Sequence, residues 1–298
     1  MKLPPFKYAS PETLNEAVQL LASRPGEAKV ISGGQSLVPM LAFRLAAPSL
    51  LVDLRKVAGL NEIDVTDHGV RLGAMVRWCD IERHSQLGLA HPLLVEAVSH
   101  VAHYQIRNRG TVGGSIAHAD PAAELPGIAV TCGATICIHG LSGDRVVNAE
   151  EFFTGALTTI LSEDEIVTAI QFPPWPAKRR WSFQEFARRR GDFAVAGAML
   201  FFDEDTDGRA RGAHIGVIGM GDRPERLRPA ENILNGRMVD VQTIALVANA
   251  AAKTVDPPTD IHATTDYRRA LVATLVERAL KASNKSEGGR AITDVNSY

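Results

Sequence analysis

The sequence predicts an α+β protein with an N-terminal domain of two α/β subdomains and a C-terminal domain that combines an antiparallel sheet with helices. Three observations support this prediction. Apolar runs, glycine pairs and helical patterns alternate over about the first 60 residues, strand-like runs become frequent after residue 61, and a proline-rich stretch at 173–176 precedes further strands and helices. The predicted domains are therefore 1–176, with subdomains of about 1–57 and 58–176, and 177–285, followed by a flexible tail at 286–298.

The first subdomain is predicted to open with a helix that Ser10 caps and Pro11 begins. Residues 28–31 form a short apolar run, Ser32-Gly33-Gly34 ends it, and helical spacing resumes at 37–45. This order indicates a strand, a glycine turn and a second helix. A buried strand at 50–54 completes the unit.

The rest of the chain continues the mixed pattern. The second subdomain has predicted strands at 63–65, 70–74, 134–138 and 166–172, a helix at 92–102 and a second glycine turn at 111–115. Asp120 followed by Pro121 predicts the start of another helix. In the C-terminal domain, the spacing favours strands at 194–202 and 212–218 and helices at 241–252 and 267–282.

Composition argues against several classes of function. The 32 Lys and Arg residues nearly cancel the 34 Asp and Glu residues, so we expect no binding to nucleic acid. No apolar run approaches the roughly 18 residues of a membrane span, and the N-terminus does not resemble a secretory leader. We therefore expect a cytoplasmic protein without an integral membrane segment.

The metal-binding residue types are also scattered. The three cysteines, Cys79, Cys132 and Cys137, include no C-x-x-C spacing, whereas an iron–sulfur cluster needs about four closely spaced thiolates. The nine histidines show no metal-ligand spacing. We predict no metal site in this chain, and any iron–sulfur cluster must belong to another protein.

Two glycine pairs carry the most information about chemistry. Gly33-Gly34 and Gly113-Gly114 each interrupt an apolar run and precede hydroxyl or amide side chains. Glycine permits positive φ and close backbone approach, and successive N–H groups can cradle a phosphate, so two such turns could clamp one pyrophosphate. The alternative is that each pair is an ordinary tight turn. Neither pair matches the Rossmann G-x-G-x-x-G fingerprint or the P-loop.

The glycine pairs lie within two longer runs, KVISGGQSLVP at 29–39 and QIRNRGTVGGSIAHADP at 105–121. These runs resemble the two FAD-binding signatures of the medium subunit of molybdenum hydroxylases, a family that includes the flavin subunit of aerobic carbon monoxide dehydrogenase and the flavin domain of xanthine dehydrogenase. Residues 5–14, 183–194 and 267–271 fit the same family. The resemblance implies an FAD-binding domain of the p-cresol methylhydroxylase type, with FAD between its two α/β subdomains.

By this resemblance, two segments surround the FAD pyrophosphate and ribityl group. The first consists of Lys29, Val30, Ile31, Ser32, Gly33, Gly34, Gln35, Ser36 and Leu37, and the second of Thr111, Val112, Gly113, Gly114 and Ser115. Further implied contacts are His103, His118, Glu124, Leu161, which would pack on the isoalloxazine, and Gln184 near its edge. Related flavin domains often have lysine at the Gln184 position and aspartate at the Glu124 position.

Structural roles for the same residues remain alternatives. Glu124 could complement the dipole of a helix that begins at Asp120, and Leu161 could be an ordinary core residue. His103 and His118 could be structural histidines. The basic cluster Arg188-Arg189-Arg190 could face solvent or a partner. No nucleophile elbow or H-E-x-x-H motif is present, so we predict no catalytic side chain of the chain's own.

The resemblance implies a function in electron transfer. The chain would be an oxidoreductase subunit that receives electrons from iron–sulfur clusters and passes them to an external acceptor. A large subunit would hold the molybdopterin cofactor, a small subunit would hold two iron–sulfur clusters, and the complex would be a dimer of heterotrimers. The alternatives are a self-sufficient FAD-dependent oxidase or reductase and a non-catalytic assembly module. The substrate and the terminal acceptor are left open.

Overall fold

The computed structural model describes residues 2–285. Its N-terminal part begins with a small parallel sheet. Its strand order is β1-β3-β2, and both outer strands pair with β3 in parallel. The elements are β1 (Lys7–Ala9), α1 (Leu14–Ala22), β2 (Ala28–Ile31), α2 (Leu37–Ala42), β3 (Leu50–Asp53) and a 3-10 turn at Leu54–Lys56.

Helix α1 covers this sheet and begins later than its sequence predicts. Thr13 is the N-cap, and its side chain accepts a hydrogen bond from the Glu16 N–H, so the predicted start at Ser10 and Pro11 is wrong. Both positions offer a hydroxyl, but capping at Thr13 aligns Ala17, Val18 and Leu21 towards the core beneath the helix.

The second subdomain is built on a five-stranded antiparallel sheet with the order β4-β5-β10-β6-β7. Several short helices lie between its strands. The elements are β4 (Ile63–Thr66), β5 (Gly69–Gly73), α3 (Trp78–Arg83), α4 (Leu87–Ala90), α5 (Pro92–His100), α6 (Tyr104–Arg107), α7 (Val112–His118), α8 (Glu124–Thr131), β6 (Thr135–Gly140), β7 (Gly143–Asn148), α9 (Ala149–Phe152), β8 (Phe153–Gly155), β9 (Thr158–Thr159) and β10 (Ile166–Phe172).

Two sequence predictions in this region are wrong. The stretch predicted as a second glycine turn is the first turn of helix α7, which Thr111 caps and Ala119 ends with a φ of 52°. Asp120 does not start the following helix. Its carboxylate instead accepts from the Ala122 N–H in a turn, and α8 begins at Glu124. Glycine usually disfavours a helix, and here capping and tertiary contacts override that tendency.

The C-terminal part packs a four-stranded antiparallel sheet, in the order β11-β12-β13-β14, against three helices. Its elements are β11 (Arg180–Phe186), β12 (Ala196–Glu204), β13 (Ala210–Ile218), β14 (Glu225–Arg226), α10 (Arg228–Leu234), α11 (Val241–Thr254) and α12 (Thr265–Lys285). The predicted α+β architecture is confirmed. The tail predicted at 286–298 lies outside the described residues.

Strand alternation gives this sheet two buried faces. On β12, Ala198, Leu200 and Phe202 belong to a core shared with the C-terminal helices. Met199 and Phe201 point the other way, into the main core of the N-terminal part. One hydrophobic core therefore joins the two parts, and the boundary at 176/177 stays a prediction.

Helix α8 lies at the centre of this shared core. A Cβ on Gly127 would overlap with Ile218 and would lie 2.9 Å from Met199 Cε, and a Cβ on Gly216 would overlap with Thr131 Oγ1. His214 Nδ1 contacts the Thr131 carbonyl at 2.6 Å. The absence of two side chains thus lets the helix approach strand β13 closely.

Substitution of Gly216 should expose this close approach as a loss of stability. We expect Gly216→Ala to lower the free energy of unfolding by about 1–3 kcal/mol, because the new methyl group overpacks the interface. The double variant with Thr131→Ala should recover part of that loss. Gly88→Ala is the control, since a Cβ there meets nothing within 4 Å. Urea unfolding measures all four proteins, and equal midpoints for Gly216→Ala and Gly88→Ala would contradict the account.

Candidate functional site

The two glycine segments, distant in sequence, meet between the subdomains. Gly33 follows strand β2, and a Cβ on it would overlap with the Arg109 carbonyl oxygen and lie 2.9 Å from Gly110 Cα. A Cβ on Gly114 would lie 3.6 Å from Ser32 Oγ. Backbone therefore rests directly on backbone at Gly33, and no other residue type fits there without a shift.

The first segment presents unused hydrogen-bond donors. Among residues 2–285, none accepts a hydrogen bond from the backbone N–H groups of residues 33–37. Gly34 has a φ of 73°, and the side chain of Gln35 turns back to the Gly33 carbonyl at 3.3 Å. Successive N–H groups around a left-handed residue form a concavity suited to an anion. This segment therefore fits a phosphate group.

The second segment uses its backbone donors internally. Val112 N–H donates to the Val76 carbonyl at 2.9 Å, Gly113 N–H donates to the Ala74 carbonyl at 2.8 Å, and Gly114 N–H donates to Thr111 Oγ1 at 3.3 Å. A Cβ on Gly113 would lie 2.9 Å from the Ala74 oxygen. The N–H groups of residues 112–114 are therefore engaged within the protein, and the expectation that both segments clamp the pyrophosphate stays a prediction.

Hydroxyl groups add to the donors around this junction. Ser32, Ser36 and Ser115 have side chains that make no hydrogen bond to any described residue. Ser32 and Ser115 are half-buried, and Ser36 is exposed. The junction therefore offers an uninterrupted row of amides from one segment, with hydroxyls from both.

Two carboxyl groups, those of Glu124 and Glu185, lie near enough to each other for the charge of one to affect the other. Part of Glu124, the first residue of α8, stays exposed, but its carboxyl group lies among protein atoms. Burial, followed by the nearby charge of Glu185, raises the pKa of Glu124 to about 8. Burial raises the pKa of Glu185 to about 7, and its Oε2 is buried with no hydrogen-bond partner within residues 2–285.

The remaining predicted contacts occupy varied positions. His118 ends helix α7, and His103 is the exposed N-cap of α6, against which a Cβ on Gly191 would collide. Leu161 is half-buried and packs against the main core, with its N–H donating to Thr159 Oγ1 at 3.2 Å. These placements are compatible with either a structural role or a ligand contact.

Gln184 lies apart from the two carboxyl groups. Its side chain donates to Ser182 Oγ at 3.3 Å, and strand alternation puts both residues on the face of β11 opposite Phe183 and Glu185. Glu185 is thus the residue that this strand brings to Glu124. Sequence reasoning missed it, because only the pairing of Glu185 with Gly197 on β12 reveals which face it occupies.

The described part of the chain offers no cluster of metal-binding side chains. Residues 2–285 contain no group of three or more His, Cys, Asp or Glu side chains arranged to hold a metal ion. The three cysteines are free thiols, and burial raises the pKa of Cys132 to about 12. Of the described helices, none combines the length and apolarity that crossing a membrane requires.

Comparison with known families matches both parts of the chain. Residues 4–175 match the family described as FAD binding domain in molybdopterin dehydrogenase, and residues 181–283 match the CO dehydrogenase flavoprotein C-terminal domain. The chain is 38% identical to the 6-hydroxypseudooxynicotine dehydrogenase complex subunit alpha of Paenarthrobacter nicotinovorans, over 94% of this chain and 95% of that protein. It is 32% identical to the carbon monoxide dehydrogenase medium chain of Hydrogenophaga pseudoflava, over 94% and 97% of the two chains.

Solved structures agree with these matches. A chain of quinoline 2-oxidoreductase from Pseudomonas putida 86 superposes with a TM-score of 0.91 at 39% identity, covering 95% of this chain and 99% of that one. A chain of carbon monoxide dehydrogenase from Hydrogenophaga pseudoflava gives a TM-score of 0.92 at 33% identity, with 95% and 98% covered.

The raised pKa of Glu124 predicts how the stability of the FAD-free chain depends on pH. Between about pH 4.5 and pH 8 the folded chain holds a proton that the unfolded chain has released, so stability should fall as pH rises, by up to about 1.4 kcal/mol per pH unit. Glu124→Gln should therefore unfold at higher urea concentration than the unmodified chain at pH 8, and at a similar concentration at pH 5.

Glu165 provides a control of opposite sign. Hydrogen bonds from Arg145 lower the pKa of Glu165 in the folded chain. The ionised carboxylate therefore stabilises the fold at pH values above the pKa of Glu165 in the unfolded chain, and this stabilisation is lost as the pH falls through the lower pKa of the folded chain. Glu165→Gln should destabilise the chain at pH 8, and the difference should shrink in acid. A Glu124→Gln variant less stable than the unmodified chain at pH 8 would contradict the assignment.

Proposed function

The chain belongs to the family of the FAD-binding domain in molybdopterin dehydrogenases, and on this premise we propose that it is the flavin-carrying, electron-transferring subunit of a multi-subunit molybdenum-containing dehydrogenase. One observation carries the proposal for this chain's own residues. The amides of residues 33–37 form a row of donors with no acceptor among residues 2–285, at a junction where glycine lets the two backbones meet. A pyrophosphate is the part of FAD that such a row suits.

The residues present fit FAD in the following way. The amides of the first segment would bind the pyrophosphate, with the Ser32 and Ser36 hydroxyls beside them. The Arg109–Gly110 peptide, which leads into the second segment, would hold the first segment in place against Gly33, and the second segment would add the hydroxyls of Thr111 and Ser115. When bound, the flavin supplies the ability to accept electrons singly and release them in pairs.

Further contacts are proposed from the match to family positions. His103, His118, Glu124, Leu161 and Gln184 match family positions, and Glu124 begins α8, the helix that follows α7 after a short connection. A protonated Glu124 could donate a hydrogen bond, which an ionised one could not. Residues Lys29, Val30 and Ile31 would contribute backbone at the end of β2.

The proposed partners follow from what the related proteins are. Several are called subunits or medium chains of dehydrogenase complexes, which supports a place for this chain in a hetero-oligomer. We propose a large molybdopterin subunit, a small subunit with two iron–sulfur clusters and a dimer of heterotrimers. A cytoplasmic location accords with three cysteines that remain free.

Substitution of Gly34 tests the amide row directly. Gly34→Ala should weaken FAD binding about tenfold or more, because a left-handed alanine costs about 1–2 kcal/mol and the row relaxes to avoid it. Gly59→Ala is a matched control, since Gly59 has a φ of 79° and a Cβ on it meets nothing within 4 Å. Both variants carry the same backbone strain, so equal FAD affinities in a flavin-fluorescence titration would contradict the role of the first segment.

Reconstitution tests the function as a subunit. The isolated chain with FAD should not oxidise substrate, and its flavin should be reduced when the molybdenum and iron–sulfur subunits are added together with substrate. Omission of the iron–sulfur subunit should prevent this reduction in a stopped-flow absorbance experiment. Reduction by substrate at the same rate in the chain alone would favour the self-sufficient oxidase, and failure to take up FAD would favour the assembly module.

A further inference from the structure

Arg268, near the start of helix α12, is a buried cation with an unusual set of partners. Its side chain is only 7% exposed, and it donates to the carbonyl of Val195 at 2.6 Å, the carbonyl of Gly219 at 2.9 Å and the carboxylate of Asp260 at 2.6 Å. Burial of a guanidinium is costly unless its donors are paired. These contacts therefore place a strong constraint on the backbone at Val195 and Gly219.

The two carbonyls belong to the ends of neighbouring strands. Val195 precedes β12, and Gly219 follows β13. Gly219 has a φ of 73°, and a Cβ on it would lie 2.9 Å from the Val195 oxygen. Arg268 thus gathers two crowded pieces of backbone at one edge of the C-terminal sheet.

Gly219 also reaches across to the N-terminal part. Its N–H donates to the carbonyl of Pro121 at 2.9 Å. Pro121 lies in the connection between α7, which contains the second glycine segment, and α8, which begins at Glu124. Gly219 therefore links the Arg268 guanidinium to the connection between α7 and α8, which leads away from the proposed FAD site.

Asp260 keeps the guanidinium in its place. The hydrogen bond from Arg268, followed by those from the His262 and Ala263 N–H groups, lowers the pKa of Asp260 to about 2. The carboxylate is therefore charged at any ordinary pH, and Arg268 has one fixed anionic partner in addition to the two carbonyls.

We propose that Arg268 is a positioning residue for the flavin site, acting through Gly219 and Pro121 on the connection between α7 and α8. This inference rests on the proposed function as an FAD-binding subunit. Its consequence is that the C-terminal domain, although it contributes few of the predicted FAD contacts, helps to set FAD affinity and the environment of the bound flavin.

The neighbouring residue supplies a matched control. Arg269 lies on the same helix and makes a similar pair of contacts, to the Val255 carbonyl at 3.2 Å and to Asp256 at 2.7 Å. Both of those partners belong to the segment at the end of α11, within the C-terminal part. Arg269→Met therefore removes an arginine from the same helix, together with a carbonyl contact and an ion pair that are more exposed than those of Arg268, without touching Gly219.

The test compares Arg268→Met, Arg268→Lys and Arg269→Met with the unmodified full chain by FAD titration and visible circular dichroism of the bound flavin. Arg268→Met should weaken FAD binding about tenfold or more and alter the flavin spectrum at saturation. Arg268→Lys keeps the charge but not the planar arrangement of donors, so its FAD affinity should lie between those of Arg268→Met and the unmodified chain. Arg269→Met should bind FAD as tightly as the unmodified chain. Thermal melting of each protein identifies which variants are folded.

The outcomes separate this inference from the proposed function. An unmodified chain that takes up no FAD would overturn both. If the unmodified chain binds FAD, Arg268→Met with unchanged affinity and spectrum would overturn the positioning role alone. Should Arg268→Met not fold, Arg268→Lys decides, and a folded lysine variant indistinguishable from Arg269→Met in both readouts would overturn the role.

Discussion

The backbone contact between Gly33 and the Arg109–Gly110 peptide is the constraint on which the proposed cofactor site depends. It holds the end of a parallel strand in one subdomain against the start of helix α7 in the other. Because the contact involves main-chain atoms on both sides, it fixes the direction of the segment that follows Gly33. The result is an array of five amides, those of residues 33–37, that have no acceptor among residues 2–285.

This arrangement divides the work between two segments that look alike in sequence. Both have paired glycines followed by a hydroxyl or amide side chain. Within the described part of the chain, however, the N–H groups of residues 112–114 have acceptors and those of residues 33–37 have none. The second is anchored to Ala74 and Val76 and provides a rigid support. Preorganised donors lose little freedom when a ligand binds, so a braced segment favours affinity more than two flexible turns would.

The C-terminal part is joined to this site by packing and by hydrogen bonds. Helix α8 is packed closely on β13 through Gly127 and Gly216, and the main core continues from one part into the other. Movement of the C-terminal sheet would therefore displace the helix that carries Glu124. Helix α8 and the C-terminal sheet therefore share one packed core.

Much of the fold was predictable from local sequence signals, whereas the details of the site were not. The strand at Ile166–Phe172 and helices α11 and α12 follow their apolar periodicity closely. Helix α7 was missed because its glycines disfavour helix, while the contacts that stabilise it come from residues more than thirty positions earlier. Glu185 was missed because its environment depends on strand register, and the internal use of the second segment's amides depends on the β5–α3 connection. The residue types at the site were therefore predictable, but their division of roles required the tertiary structure.

Hydrogen exchange of individual backbone amides, measured by NMR with and without FAD, tests this division of roles most directly. The account predicts that Val112, Gly113 and Gly114 are already protected in the FAD-free chain, because each donates to a protein acceptor. The amides of residues 33–37 should exchange rapidly without FAD and become strongly protected when it binds. Protection that appears on FAD binding at 112–114, with no change at 33–37, would contradict the account.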